Sequence, residues 1–160
     1  MATSFETIYD LFYKRVLNDP DFFSYLNVED TEAEEIMKIK SLDYLKESIS
    51  TILEYATPTI DFNDYDETTE EFAEDLTNQE IQMIVNLMFE KYLSRSISKI
   101  NIYNKFFTTN EVSLFSPAND RKTFMDMFEY LVNKNIRAIR SYNCRDRLTN
   151  EVRTFGGVPY

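Results

Sequence analysis

Carboxylates are the residues this chain supplies most freely for chemistry. Between Thr59 and Asp75, eight of seventeen residues are Asp or Glu and none is basic. Asp61, Asp64 and Asp66 sit close enough together to suggest a calcium loop, with Glu67, Glu70 and Glu71 just behind them. A helix–loop–helix calcium site needs oxygen ligands at alternate positions, a central glycine and a bidentate Glu at the twelfth place. Here the glycine is missing and the spacing differs, so the segment is expected to be a solvated acidic loop without a metal. Paired carboxylates can also act as acid and base in glycoside hydrolysis, but they must face one another across a rigid cleft. Acids crowded on one loop or spread over outer helix faces do not meet that requirement.

The other tools of catalysis are scarce. The chain has no histidine, which removes Ser-His-Asp and Cys-His arrangements and histidine metal sites. Its one cysteine, Cys144, can form neither an internal disulfide nor a zinc–thiolate cluster. Arg140, Arg145 and Arg147 lie near it and would lower a thiol pKa, but an incidental small residue at a helix end is the simpler reading. The only glycines, Gly156 and Gly157, are adjacent and near the C-terminus, so no Gly-rich phosphate cradle exists. Neither an enzyme nor a cofactor is expected.

The cations are ordered differently. Lys134, Arg137 and Arg140 recur at steps of three, which gives them one stripe of a helix. Arg145, Arg147 and Arg153 continue toward the C-terminus. Such a stripe can meet phosphate. The acidic remainder repels DNA, however, and no recognition motif is present, which leaves only non-specific proximity to a duplex. Residues 1–80 carry 21 acids against 5 bases, a net of −16; residues 81–160 carry 7 against 12, a net of +5. A chain polarised this way is suited to meeting partners basic part against acidic part.

These residues must be held by helices. A chain of 160 residues, 43% hydrophobic, can bury one real core. No run of about 18 apolar residues exists, so no membrane helix is expected, and the first residues lack the basic and apolar regions of a signal peptide. Thr3-Ser4-Phe5-Glu6 reads as a capping box opening a helix through Val16. Thr31-Glu32-Ala33-Glu34 reads as another, opening a helix over 32–55, roughly 35 Å long at 1.5 Å per residue. Thr77-Asn78-Gln79-Glu80 is a third. After it, the serines between Ser94 and Ser98 predict a bend or break and a short helix over 99–106. Glu90 and Lys91 are expected on the outer face. Ser116-Pro117 opens the last helix, whose stripe is Phe124, Phe128, Leu131, Val132, Ile136, Ile139 and Tyr142. The expected fold is therefore all-α: a small bundle of four to five helices over residues 1–143, then an extended C-terminal arm, 144–160. Arg140, Arg145, Arg147, Arg153, Phe155, Gly156, Gly157, Val158 and Tyr160 are the candidate partner-binding residues. Asp61, Asp64, Asp66, Glu67, Glu70 and Glu71 form the acidic surface.

Three pieces carry a resemblance: Asp75-Leu76-Thr77-Asn78-Gln79-Glu80-Ile81, Leu87-Met88-Phe89-Glu90-Lys91-Tyr92-Leu93, and Ser113-Leu114-Phe115-Ser116-Pro117-Ala118-Asn119. In this order and spacing, over roughly residues 40–143, they resemble small helical head–tail connector (adaptor, neck) proteins of tailed bacteriophages. Tyr92 stands where many of those proteins carry tryptophan, and the last eighteen residues have no counterpart. The resemblance implies a virion structural protein assembled in the bacterial host cytoplasm and resident in the neck. It implies a homo-oligomeric ring, usually of twelve copies, under the portal protein, continuing the DNA channel and bearing the next neck or tail protein. It also implies a C-terminal arm that docks into the portal. The acidic loop would then face either the channel or the outer surface. Two alternatives stand beside this reading: an acidic inhibitor that mimics DNA and acts on a host enzyme, and another neck or tail-completion protein.

Overall fold

Phe5, Ile8, Tyr9, Phe12 and Val16 recur at three- and four-residue steps, and all five are buried along helix α1 (Phe5–Val16). The rest of the chain builds on that face. The computed structural model describes residues 2–17, 20–23, 25, 28–106, 117–155 and 158–159. After α1 come a single turn, α2 (Pro20–Phe23), and three long helices: α3 (Asp30–Tyr55), α4 (Asn78–Phe106) and α5 (Pro117–Asn143). Two short antiparallel ribbons complete it: β1 (Tyr65–Asp66) with β2 (Glu71–Phe72), and β3 (Thr154–Phe155) with β4 (Val158–Pro159). The fold is the all-α bundle that the periodicity predicts.

Helix α4 is the axis of the bundle. It packs against α1, α3 and α5. Ile81, Met83, Ile84, Val85, Leu87 and Met88 are all buried, so apolar positions cover most of its circumference, as a central helix requires. Aromatic rings close one region of the core: Phe12 lies 5.6 Å from Phe22 and 5.7 Å from Tyr44, and Phe22 lies 5.9 Å from Tyr92. The helix is continuous through the serines, where a break was expected. Helix propensity is a weak preference that tertiary contacts override. Here Arg95 Nη2 reaches Glu47 Oε1 at 2.6 Å, and its guanidinium lies 4.4 Å from the centre of the Tyr44 ring, tying this stretch to α3.

The caps follow the sequence only in part. Ser4, not Thr3, caps α1: its hydroxyl accepts the Glu6 N–H at 3.2 Å. Thr3 is buried and committed elsewhere, accepting the Leu76 N–H at 2.7 Å and donating to Asp75 Oδ1 at 3.3 Å. Helix α3 starts two residues earlier than expected, and its N-cap residue, Glu29, makes no side-chain cap bond. Asp30 and Glu32 in its first turn still suit the positive end of the helix dipole. The third box forms as predicted: Thr77 N–H donates to Glu80 Oε2 at 2.6 Å, and Glu80 N–H to Thr77 Oγ1 at 3.3 Å.

The acidic stretch is more ordered than a solvated loop. Ile60, Phe62, Phe72 and Leu76 point into the core, Phe62 with no exposure at all. Tyr65 opposite Phe72 makes the β1–β2 ribbon, and both rings pack on Phe5 at 5.7 and 5.3 Å. The N-terminal residues add a third edge: Phe72 N–H donates to Thr3 C=O at 2.9 Å, and Phe5 N–H to Glu70 C=O at 2.8 Å. A ribbon without glycine needs another residue at positive φ, and Glu70 takes that place at 55°.

Candidate functional site

The basic end of the chain returns to its acidic half. Arg147, expected to face a partner, turns inward over the first turn of α4. Its Nε donates to Glu80 Oε1 at 2.7 Å, Nη2 donates to the Asp75 carbonyl, and Nη1 lies 3.7 Å from Glu74 Oε2. Glu80 is fully buried, and its carboxylate receives three hydrogen bonds: from the Thr77 N–H already described, from Arg147, and from the Tyr142 hydroxyl at 2.6 Å. In return, the Glu80 backbone N–H donates to the Thr77 hydroxyl. Burial alone would raise the Glu80 pKa. The hydrogen bonds from Arg147, Tyr142 and Thr77 outweigh it and hold the carboxyl below its ordinary value, so it stays ionised. Burial, together with this carboxylate, pushes the Tyr142 hydroxyl well above the usual tyrosine range.

The chain beyond α5 reaches this point through a tight turn. Asp146 Oδ1 accepts the Leu148 and Thr149 N–H groups at 3.0 and 2.9 Å. Asn150 adopts φ 59°, which Asn tolerates better than most residues. Arg153 N–H donates to Cys144 C=O, and Arg145 Nη1 donates to Asn150 C=O, both at 2.9 Å. Arg145 therefore braces the turn, and Arg153 is half-buried. Cys144 is exposed.

Arg140 remains available. With Lys134 and Arg137 it lies exposed along α5, and none of the three forms an ion pair among the described residues. The stripe of three is therefore a continuous basic flank. The opposite face of α5 is pinned to α4: Ile139 is fully buried, and buried Asn135 donates to Glu90 Oε2 at 2.8 Å and to Asn86 C=O at 3.3 Å. Glu90 is thus a buried partner of α5, not an outer-face residue. Phe124, Phe128, Leu131, Val132 and Ile136 are only half-buried, and Met125, Met127 and Tyr130 are exposed.

Phe155 and Val158 pair across the β3–β4 ribbon. Gly156, Gly157 and Tyr160 lie outside the described residues, as does the proposed Ser116 cap. Among the acids, Asp61 and Asp66 use their carboxylates locally, accepting the Asn63 N–H at 2.9 Å and the Thr68 N–H at 2.7 Å. Glu67 pairs with Lys46 at 2.7 Å. Asp64, Glu70 and Glu71 complete an acidic surface on and around the ribbon. Among the described residues no three His, Cys, Asp or Glu side chains converge to hold a metal ion.

Sequence reasoning missed the Glu80–Tyr142–Arg147 cluster. Its parts were visible, since Glu80 closes a capping box and Tyr142 ends the α5 stripe. Capping-box glutamates usually face water, and nothing local shows that this one is covered by a residue 67 positions away. No family model, curated protein or solved structure matches the chain. No helix among the described residues is long and apolar enough to cross a membrane.

Proposed function

We propose that this chain is a virion structural protein, a head–tail adaptor whose copies form a ring under the portal, continue the DNA channel and carry the next neck or tail protein. The resemblance of the three sequence pieces motivates the reading. The supporting observation is the basic flank of Lys134, Arg137 and Arg140, which forms no ion pair among the described residues, on a chain whose ribbon and early helices are acidic. A ring closes through head-to-tail contacts between two different surfaces, and opposite charge sets their register. In this reading residues 154–160 form the portal-binding part of the arm, and duplex DNA is met without sequence preference.

Truncation tests it, provided the cut respects Arg147. Removal of 145–160 also strips Glu80 of its cation, so the informative variant ends at Arg153. The full chain should form rings by light scattering and negative-stain microscopy and should co-sediment with portal protein from the same phage. The variant ending at Arg153 should keep its helical circular dichroism and lose portal binding. A full chain that stays monomeric and ignores the portal overturns the reading. If that monomer binds a host nuclease or polymerase tightly, the DNA-mimic alternative takes its place.

A further inference from the structure

Helices α1 and α3 and the turn of the acidic ribbon enclose a cleft of about 490 Å³. Four carboxylates line it: Glu6, Asp10, Glu34 and Glu70. Lys38 is the one cation among the described lining residues, and it lies 4.0 Å from Glu70 Oε2 with its side chain 60% exposed. The floor contains Tyr9 and Tyr13, their ring centres 6.2 Å apart.

Tyr9 distinguishes this cleft from an ordinary acidic surface. The residue is 5% exposed, and its hydroxyl makes no hydrogen bond to any described residue. No fully enclosed polar side-chain atom among the described residues lacks a partner, so this hydroxyl is open to the space that Tyr9 lines: this cleft and a smaller one beside it, which shares Lys38 and Glu70. The ring is held in the core while the hydroxyl, with no protein partner among the described residues, is left able to bond a bound group. Burial and the charge of Glu70 keep it protonated. Glu70 is itself held at positive φ, a conformation that disfavours residues with a Cβ, by the bond from Phe5 N–H to its carbonyl.

The acids are spread around a volume far larger than one ion, and they do not converge as metal ligands do. Distributed carboxylates over an aromatic floor suit an organic cation, whose stem lies on the rings while its charged ends meet oxygen. We propose that this cleft binds an alkyl ammonium or guanidinium group, supplied by a free polyamine or by a lysine or arginine side chain of a peptide. The inference is independent of the connector reading and would stand if that reading failed.

Calorimetric titration of the full chain with spermidine and with a terminally blocked Arg-Gly-Arg peptide tests it. At least one probe should saturate at one per chain, and the tighter of the two identifies the source. Asp10→Asn with Glu70→Gln should weaken binding about ten-fold or more, as expected for lost charge-assisted hydrogen bonds. Tyr9→Phe, which keeps the ring, should weaken it by less. Glu54→Gln with Glu151→Gln removes the same charge from exposed sites outside the cleft and should leave binding unchanged, with circular dichroism confirming that each variant folds. Failure of both probes to saturate overturns the proposal. So does equal weakening by the control pair, because that reports diffuse attraction to a chain of net charge −11.

Discussion

Glu80 holds together three parts of the molecule: the start of α4, the end of α5 and the turn beyond it. A buried carboxylate is tolerated when its oxygens are satisfied, and both of them are. Glu80→Gln would leave Arg147 facing a neutral amide at a largely covered site. We expect a loss of about 3 kcal/mol in urea unfolding at neutral pH, the scale set by breaking a buried pair. The pH dependence follows from the direction of the shift. The folded-state pKa lies below the unfolded one, so the stabilisation is complete above the ordinary carboxylate value and is lost as pH falls through the lowered one. The gap between wild type and Glu80→Gln should stay constant from neutral pH down to the ordinary value and then close. A gap that closes above pH 5 would contradict this account (about half a unit above an unperturbed Glu).

At the scale of elements, ring packing and surface ion pairs differ in weight. Phe12 is fully buried among Phe22, Tyr44 and Tyr92 at the junction of α1, α2, α3 and α4. Phe12→Ala should cost about 3–5 kcal/mol, from lost burial plus the cavity left behind. Arg95→Ala removes the tie between α4 and α3, but both partners are over two-fifths exposed. It should cost under about 1 kcal/mol and leave α4 helical. Chemical unfolding of the two variants side by side checks both values. This contrast also explains what the sequence made legible. The stripes of α1 and of the first half of α4 report burial directly, so those stretches were placed well, whereas the run of α4 past its serines was not. Ile39 and Leu53 belong to the α3 stripe by spacing, yet they are exposed, while Ser41 and Ser48 are buried. Periodicity shows that a helix has an inner face, and packing against α4 decides which residues occupy it. The ribbon at 65–72 escaped notice because its aromatic anchors are outnumbered by carboxylates, and its positive-φ position carries Glu instead of glycine.

Over the whole molecule, the division of charge is partly settled within the chain. Arg147 faces Glu74 and Glu80, Lys46 faces Glu67, and Arg95 faces Glu47. The basic stripe of α5 has no such internal partner among the described residues. If copies associate through it, sedimentation velocity should show assemblies that weaken as salt is raised, because exposed charges are screened within about 10 Å at 0.1 M ionic strength. Replacing Lys134, Arg137 and Arg140 with Gln should abolish association at low salt while changing unfolding stability by no more than about 0.5 kcal/mol per site. Association that ignores both salt and these substitutions would point instead to the exposed Met125, Met127 and Tyr130 on the same helix.

Asp75 and Leu76 receive both ends of the chain. Thr3 bonds to the Asp75 carboxylate and to the Leu76 N–H, and Arg147 to the Asp75 carbonyl. These contacts span 72 and 73 residues on one side and 72 on the other. Contacts that close such long loops give up chain entropy before they are rewarded, and they tend to form late. During synthesis, Glu80 leaves the ribosome long before Arg147 does. A nascent or prematurely ended chain therefore presents a Glu80 carboxylate that has its local Thr77 N–H bond but not its Tyr142 and Arg147 donors, and closure of this site waits on the turn beyond α5.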